Sequence, residues 1–365
     1  MIGVVQLNAS YLPLAVLAFV TALVAVALFV PNVRSFAERI GAVQQGGGRR
    51  VHRGTMPNIG GVAILGGFLL ALVVGSLLQP ALINTFRTEL LAIVLGGVLM
   101  TLVGFIDDIW EVPAAMRLVT QFMAAGILVV NGVKIDFITN YFGSSRYLFI
   151  PETLAIILTL VWVVGFTNAF NFIDGLDGLS SGIATIASLS LLAVALQLPD
   201  RGATVLLLAA LAGSSLGFLR HNFSPAKIIM GDSGAYLLGY TLSAVSVLGA
   251  LKVTAAVTVV APVLVLALPV VDLTQVTVRR LSRGVSPAVA GNDHIHDLLR
   301  QRSGSNRLTV VLLWVATLIL GFLGMMLSST PPPLMYLTIS TTIILIATVS
   351  LLRLYEVRRE RLSAP

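Results

Sequence analysis

Residues 11–31 read YLPLAVLAFVTALVAVALFVP, twenty-one positions without a charged side chain. A helix needs about 20 apolar residues to cross the hydrocarbon of a bilayer, and this run supplies them unbroken. It lacks the short apolar core and small-residue cleavage site of a signal peptide, so it reads as a retained spanning helix. The remainder of the chain repeats the pattern. Of its 365 residues, 57% are apolar and 11% charged, with a mean hydropathy of +0.96. Soluble domains carry about 25% charged residues. So few charges cannot cover a water-facing surface, which excludes a cytosolic enzyme, a secreted domain and a disordered chain. There is no cysteine, so disulfides, thiolate metal sites and cysteine nucleophiles are excluded as well.

Similar runs bounded by Pro, Gly or charge lie near 60–79, 89–106, 116–131, 151–168, 180–198, 203–219, 235–250, 254–277, 308–328 and 333–352. With the first, they give about eleven transmembrane helices. The expected architecture is an all-α polytopic membrane protein, one integral-membrane domain over 1–365 that ends in a short basic cytoplasmic tail, 353–365. Lys and Arg orient it. Placing the first loop inside leaves Arg87, Lys134, Arg146, Arg201 and Lys252 outside and the other 18 of the 23 inside. That bias follows the positive-inside rule, with the N-terminus outside and the C-terminus cytoplasmic. It also accounts for the net charge of +7 without nucleic acid. One outer loop is long: VKIDFI and RYLFI alternate around NYFGSS, which predicts a small external β-hairpin near 132–150.

This orientation puts the chemistry on one face. His52, His221, His294 and His296 fall inside, as do Asp107, Asp108, Glu111, Asp174, Asp177 and Asp232. Ionisable groups at membrane depth are costly, so they are functional candidates by default. At the end of the third span, Asp107, Asp108 and Glu111 have helical spacing that crowds three acids on one surface; the plainer reading is a solvated helix end. In NAFNFIDGLDGLS, the three-residue period puts Asn168, Asn171 and Asp174 on one helical stripe, and Gly175 and Gly178 let the backbone turn or approach a ligand. In NFSPAKIIMGDSG, Asp232 or Ser233 stands at a helix N-terminus, either as a plain N-cap or as part of a metal or phosphate site. His294 and His296, at i,i+2, do not share a helix face, so a helical zinc site is not expected. With the arginines of 279–307, Arg300 and Arg302 among them, they suit an anion, because guanidinium forks match phosphate oxygens. The stretch RRVHRGTMPNIGG (49–61) could touch phosphate with its basic end, or serve helix packing with its glycines. Carboxylates, amides, imidazoles and arginines at one membrane surface fit a Mg²⁺-dependent phosphoryl transfer between a soluble donor and a lipid acceptor.

The motifs Asp107-Asp108, NAFNFIDGLDGL, FSPAKIIMGDSG and His294-Ile-His296 resemble those of the polyprenyl-phosphate N-acetylhexosamine-1-phosphate transferases, over about residues 49 to 300. The resemblance implies transfer of a sugar-1-phosphate from a UDP-N-acetylhexosamine to undecaprenyl phosphate with release of UMP. Such lipid-linked sugars start cell-envelope polysaccharides. His-Ile-His is closer to the UDP-GlcNAc branch, which initiates enterobacterial common antigen, O antigen and teichoic acid, than to the phospho-MurNAc-pentapeptide translocase branch. By position, the resemblance makes Asn171 and Asp232 ligands of Mg²⁺, with Mn²⁺ as a substitute. It makes Asp107 and Asp108 the acids that deprotonate or orient the lipid phosphate, with Asp232 counted alongside them as catalytic. Asn168, Asp174, Asp177 and Asn222 become nucleotide-site or supporting polar residues, and His294, His296, Arg300 and Arg302 contacts to diphosphate or sugar. Glu111 and Asp297 depart from the family pattern, the latter replacing a histidine. The expected setting is the bacterial inner membrane with the active site on the cytoplasmic face, with a homodimer as one arrangement open to it. A UDP-MurNAc-pentapeptide donor is the alternative within the family. An ion-coupled secondary transporter is the alternative outside it, and would place its charges near mid-span.

Overall fold

The computed structural model describes residues 9–45, 55–139, 147–250, 260–286, 291 and 293–363. Helices dominate: α1 (Leu12–Ile40), α2 (Gly60–Leu78), α3 (Pro80–Trp110), α4 (Ala114–Val130), α5 (Glu152–Ile173), α6 (Leu179–Ala195), α7 (Gly202–Asn222) and α8 (Gly231–Ala250) come first. They are followed by α9 (Val260–Val265), α10 (Ala267–Ser282), α11 (Ile295–Ser303), α12 (Asn306–Leu327) and α13 (Pro332–Ser363). Among the described residues, seven helices are long and apolar enough to cross a membrane: α1, α2, α3, α5, α7, α12 and α13. The chain is thus an all-α polytopic membrane protein; α4 and α6 are apolar but shorter, at 17 residues each.

Packing explains the order. The apolar window of α7 is buried throughout, and the helix touches α1, α2, α6, α8 and α13. Its sequence, GATVLLLAALAGSSLGFL, is apolar on every side, as a fully enclosed helix requires. The outer helices keep one apolar face outward, such as Val16, Val20, Val24 and Leu28 of α1, which lipid covers.

Two features of the backbone differ from expectation. The segment expected as one span near 254–277 is broken: α9 and α10 are separate helices around Leu266, and residues 251–259 lie outside the described residues. The stretch 32–59, expected as a cytoplasmic loop, is helix up to Ile40 and then carries an unexpected antiparallel strand pair, β1 (Val43–Gln45) and β2 (Thr55–Pro57). The strand pairing expected near 132–150 forms, with β3 (Phe137–Thr139) paired to β4 (Tyr147–Phe149) and the rings of Phe137 and Phe149 edge to face at 6.1 Å. Its turn, 140–146, lies outside the described residues, as do Arg49, Arg50, His52 and Arg53.

The segment expected as a tail continues α13 as helix up to Ser363 and is built into the fold. Arg353 donates Nη2 to the carbonyl of Pro225 at 2.6 Å, while Glu356 takes Arg220 at 3.0 Å and Lys227 at 3.3 Å. These contacts fix the 223–230 connection that leads into α8.

Candidate active site

The N-terminus of α8 is set by main chain before any side chain acts. Ile229 donates its N–H to the carbonyl of Pro57 at 2.8 Å, and Gly60 and Gly61 donate theirs to Ile229 and Met230 at 3.1 and 2.9 Å. Two glycines permit this. A Cβ at Gly61 would overlap the backbone of Ser233 and Gly234, and one at Gly104 the backbone of Asp232 and Ser233. Gly60 and Gly61 of the 49–61 stretch therefore let backbones approach. Asn58 adds a bond from its Nδ2 to the carbonyl of Asp108 at 2.9 Å.

Onto this frame α3 and α5 bring their polar ends. Asp108 accepts the N–H groups of Asp232 at 2.8 Å and Ser233 at 3.2 Å, so it caps α8 from outside that helix. Asn171 donates Nδ2 to Oδ1 of Asp232 at 2.7 Å. Three residues 61 and 124 positions apart in sequence thus meet at one end of the bundle. Asp107 stands beside them. Its Oδ1 accepts the N–H of Val112 at 2.6 Å and its Oδ2 accepts Arg117 at 2.9 Å. Arg117 also reaches Oδ2 of Asp232 at 3.7 Å, and Tyr236 lies 3.5 Å from that oxygen. Glu111 does not join the acids: α3 ends at Trp110, and Glu111 turns away in a left-handed conformation (φ 50°) and is exposed.

The 174–178 turn sits against this cluster's flank. Asp174 accepts the Ser180 hydroxyl at 2.7 Å; burial, with the charge of Asp177 adding to it, pushes its carboxyl up to about 7. Asp177 accepts the N–H of Ala226 at 3.1 Å. Asn222 spends its amide on the fold, accepting from Gly178 N and Ser181 Oγ and donating to the carbonyl of Ile228. Asn168, expected at a substrate, pairs instead with Gln121 of α4 at 2.6 Å and with the carbonyl of Val164.

His294 and His296 close the other side. His294 is the residue before α11; its ring stacks 5.5 Å from that of His296 and lies tilted 5.6 Å from that of Phe172, the neighbour of Asn171. His296 packs on Gly175, where an added Cβ would overlap its Nε2. Burial keeps the His296 imidazole below its ordinary pKa, and its Nδ1 is buried without a partner. Arg300 approaches Asp297 at 3.7 Å, whereas Arg302 is exposed at the surface of α11.

Oxygen donors suited to a hard cation converge here. The side chain of Asp232 is 31% exposed, and Asn171, which gives its Nδ2 to Asp232, has a side-chain oxygen to offer beside it. Mg²⁺ favours such a set, one or two protein oxygens completed by water and substrate phosphate. No three His, Asp or Glu side chains among the described residues form a ready-made metal cage.

Sequence comparison agrees with the geometry. The model of glycosyl transferase family 4 matches residues 90–250, the stretch from α3 to α8 that holds the acids and amides. A probable undecaprenyl-phosphate N-acetylglucosaminyl 1-phosphate transferase of Bacillus subtilis is 35% identical over 317 residues, covering 86% of this chain and 85% of the relative. The chain belongs to the polyprenyl-phosphate hexosamine-1-phosphate transferases. In this family, a decaprenyl-phosphate N-acetylglucosaminephosphotransferase of Mycolicibacterium smegmatis is 36% identical over 79% of the chain and 76% of its own length. An undecaprenyl-phosphate alpha-N-acetylglucosaminyl 1-phosphate transferase of Escherichia coli is 25% identical over 82% and 80%. As a hexosamine-1-phosphate transferase of bacterial type, the chain is a multi-pass membrane protein.

Four residues of the cluster were not singled out from sequence: Asn58, Arg117, Tyr236 and Asp272. Arg117 counted only toward orientation, although it follows the acidic pair by one short turn. Asp272 interrupts the apolar run ALPVVDLTQV, and an acid at that depth is itself a signal.

Proposed function

We propose that this protein transfers N-acetylglucosamine-1-phosphate from UDP-N-acetylglucosamine to undecaprenyl phosphate, releasing UMP, and so starts a cell-envelope polysaccharide. The observation that carries this reading is the meeting of Asp108, Asn171 and Asp232 at one end of α3, α5 and α8. In this reading the end lies at the cytoplasmic face of the inner membrane. The chain then makes about eleven crossings, with α9 and α10 sharing one, the N-terminus outside and the C-terminus inside.

Asn171 and Asp232 would hold Mg²⁺, or Mn²⁺ in its place. When bound, the cation supplies charge neutralisation on the donor diphosphate. The chain's own residues do the rest. Asp108 fixes the backbone of Asp232, and Asp107 aims Arg117 across the same carboxylate, which places a fixed cation where phosphate oxygens gather. A phosphate monoester has a second pKa near 6, so the lipid phosphate arrives largely ionised and needs orientation more than deprotonation. Its oxygen attacks the sugar-bearing β-phosphorus. The bond from that phosphorus to the bridging oxygen breaks, and UMP leaves with the electron pair. His294, His296 and Arg300 flank the sugar and diphosphate, and Asp174 and Asp177 the nucleotide.

Purified protein given UDP-N-acetylglucosamine, undecaprenyl phosphate and Mg²⁺ tests the reading. UMP is expected well above an Asp232→Ala control; equal release overturns it. UMP formed from the donor alone, without lipid, would overturn the single displacement.

A further inference from the structure

Asp272 is fully buried in α10, outside every motif used above. Its Oδ2 lies 2.8 Å from Nδ1 of His294, and its Oδ1 accepts the N–H of Ile295 at 2.6 Å. A buried carboxylate that accepts a backbone N–H with one oxygen presents the other to the ring purely as an acceptor. Nδ1 then carries the proton, which leaves Nε2 as the ring nitrogen available to a ligand. The ring also lies against Phe172 and nearly parallel to the ring of His296. Phe172 follows Asn171 directly, so the ring that Asp272 holds abuts the helix end that carries the cation-site amide.

We infer that Asp272 is a positioning residue: it locks His294 in the Nδ1-protonated form, with Nε2 presented to the diphosphate or sugar of the donor. The inference rests on the transferase reading for what Nε2 meets, but not for the state of the ring. It also assigns the lone acid of α10 a task at the site instead of a role in crossing the membrane. A carboxylate orienting an imidazole through Nδ1 is a recurring catalytic arrangement, and its loss changes the tautomer more than the shape.

Asp272→Asn is the discriminating variant. The amide oxygen can keep the bond to Ile295, which turns the NH₂ toward Nδ1 and forces the proton to Nε2. Nitrogen NMR of labelled histidine, in a chain with four His, reads that exchange without any reaction. We expect the His294 signals to switch tautomer, melting to change little, and kcat/KM for UDP-N-acetylglucosamine to fall about 10- to 100-fold with KM for the lipid unchanged. In a His294→Ala background the same substitution should have no further effect on kcat/KM. Unchanged tautomer signals, or an undiminished penalty in the His294→Ala background, overturn the inference. If Asp272→Asn does not accumulate folded, the His294 signals of the wild type decide: a proton on Nδ1 supports the inference, and a ring protonated on Nε2 alone overturns it. If the wild-type protein releases no UMP while Asp272→Asn still switches the tautomer, the transferase reading falls and the ring assignment stands.

Discussion

Asn222 shows how a polar residue beside an active site can serve the fold. It is 4% exposed, and its amide ties Gly178, Ser181 and Ile228 together. Asn222→Ala strands those groups in the interior and is expected to cost about 2–4 kcal/mol, read as a lower melting temperature. A loss of activity with melting unchanged would instead assign it to substrate. Asp174 makes a prediction in pH. Its folded pKa of about 7 lies above the ordinary 3.8, so between those values the folded state holds a proton that the unfolded state has released. Stability therefore declines as pH rises from about 4 to 7, by about 1–3 kcal/mol after screening. Asp174→Asn should flatten that slope and melt higher at pH 7; a parallel slope in the variant would rule out Asp174 as its source.

Helix ends make the site, and how each end is placed decides what sequence could disclose. The seven long apolar helices, the hairpin strands and the closeness of Asn171 to Asp232 were legible because apolar length and clustered polar motifs are written in side chains. The strand pair β1–β2 and the main-chain bonds joining 57–61 to 229–230 were not, because backbone hydrogen bonds leave almost no mark on residue type. Only the glycines hinted at them. Glu111 was misplaced because helical spacing was continued one residue past the end of α3. Asn168 shares the stripe of Asn171, and its pairing with Gln121 of α4 was hidden from sequence because the partner lies 47 residues away. The close approach of α3 to α8 gives a sharp contrast. Gly104→Ala drives a methyl into the backbone of Asp232 and Ser233 and should cost about 1–3 kcal/mol and most of the activity. Gly126→Ala, where an added Cβ meets nothing within 4 Å, should be neutral or stabilising by up to about 1 kcal/mol. Similar melting curves for both variants would refute the close-packing account.

At the scale of the molecule, orientation and cation binding can be read directly. The chain has no cysteine, so single replacements at the exposed Ser329 and Arg302 report on one face each. In intact cells an impermeant thiol reagent should label Ser329→Cys and spare Arg302→Cys; the reverse pattern would invert the topology. Mg²⁺ should raise the melting temperature of the wild type in a concentration-dependent way, and Asp232→Ala should abolish the rise. An identical rise in that variant would move the cation elsewhere. The main-chain bonds that seat α8 carry one more consequence. Ile229, Met230, Gly60 and Gly61 seat the start of α8 by main-chain bonds that involve no residue of the histidine segment, so that seat does not depend on the segment's sequence. Grafting the 291–303 stretch of a relative with another donor preference should exchange the sugar while the phosphate chemistry stays put, which offers a route to reprogramming the first sugar of a surface polymer.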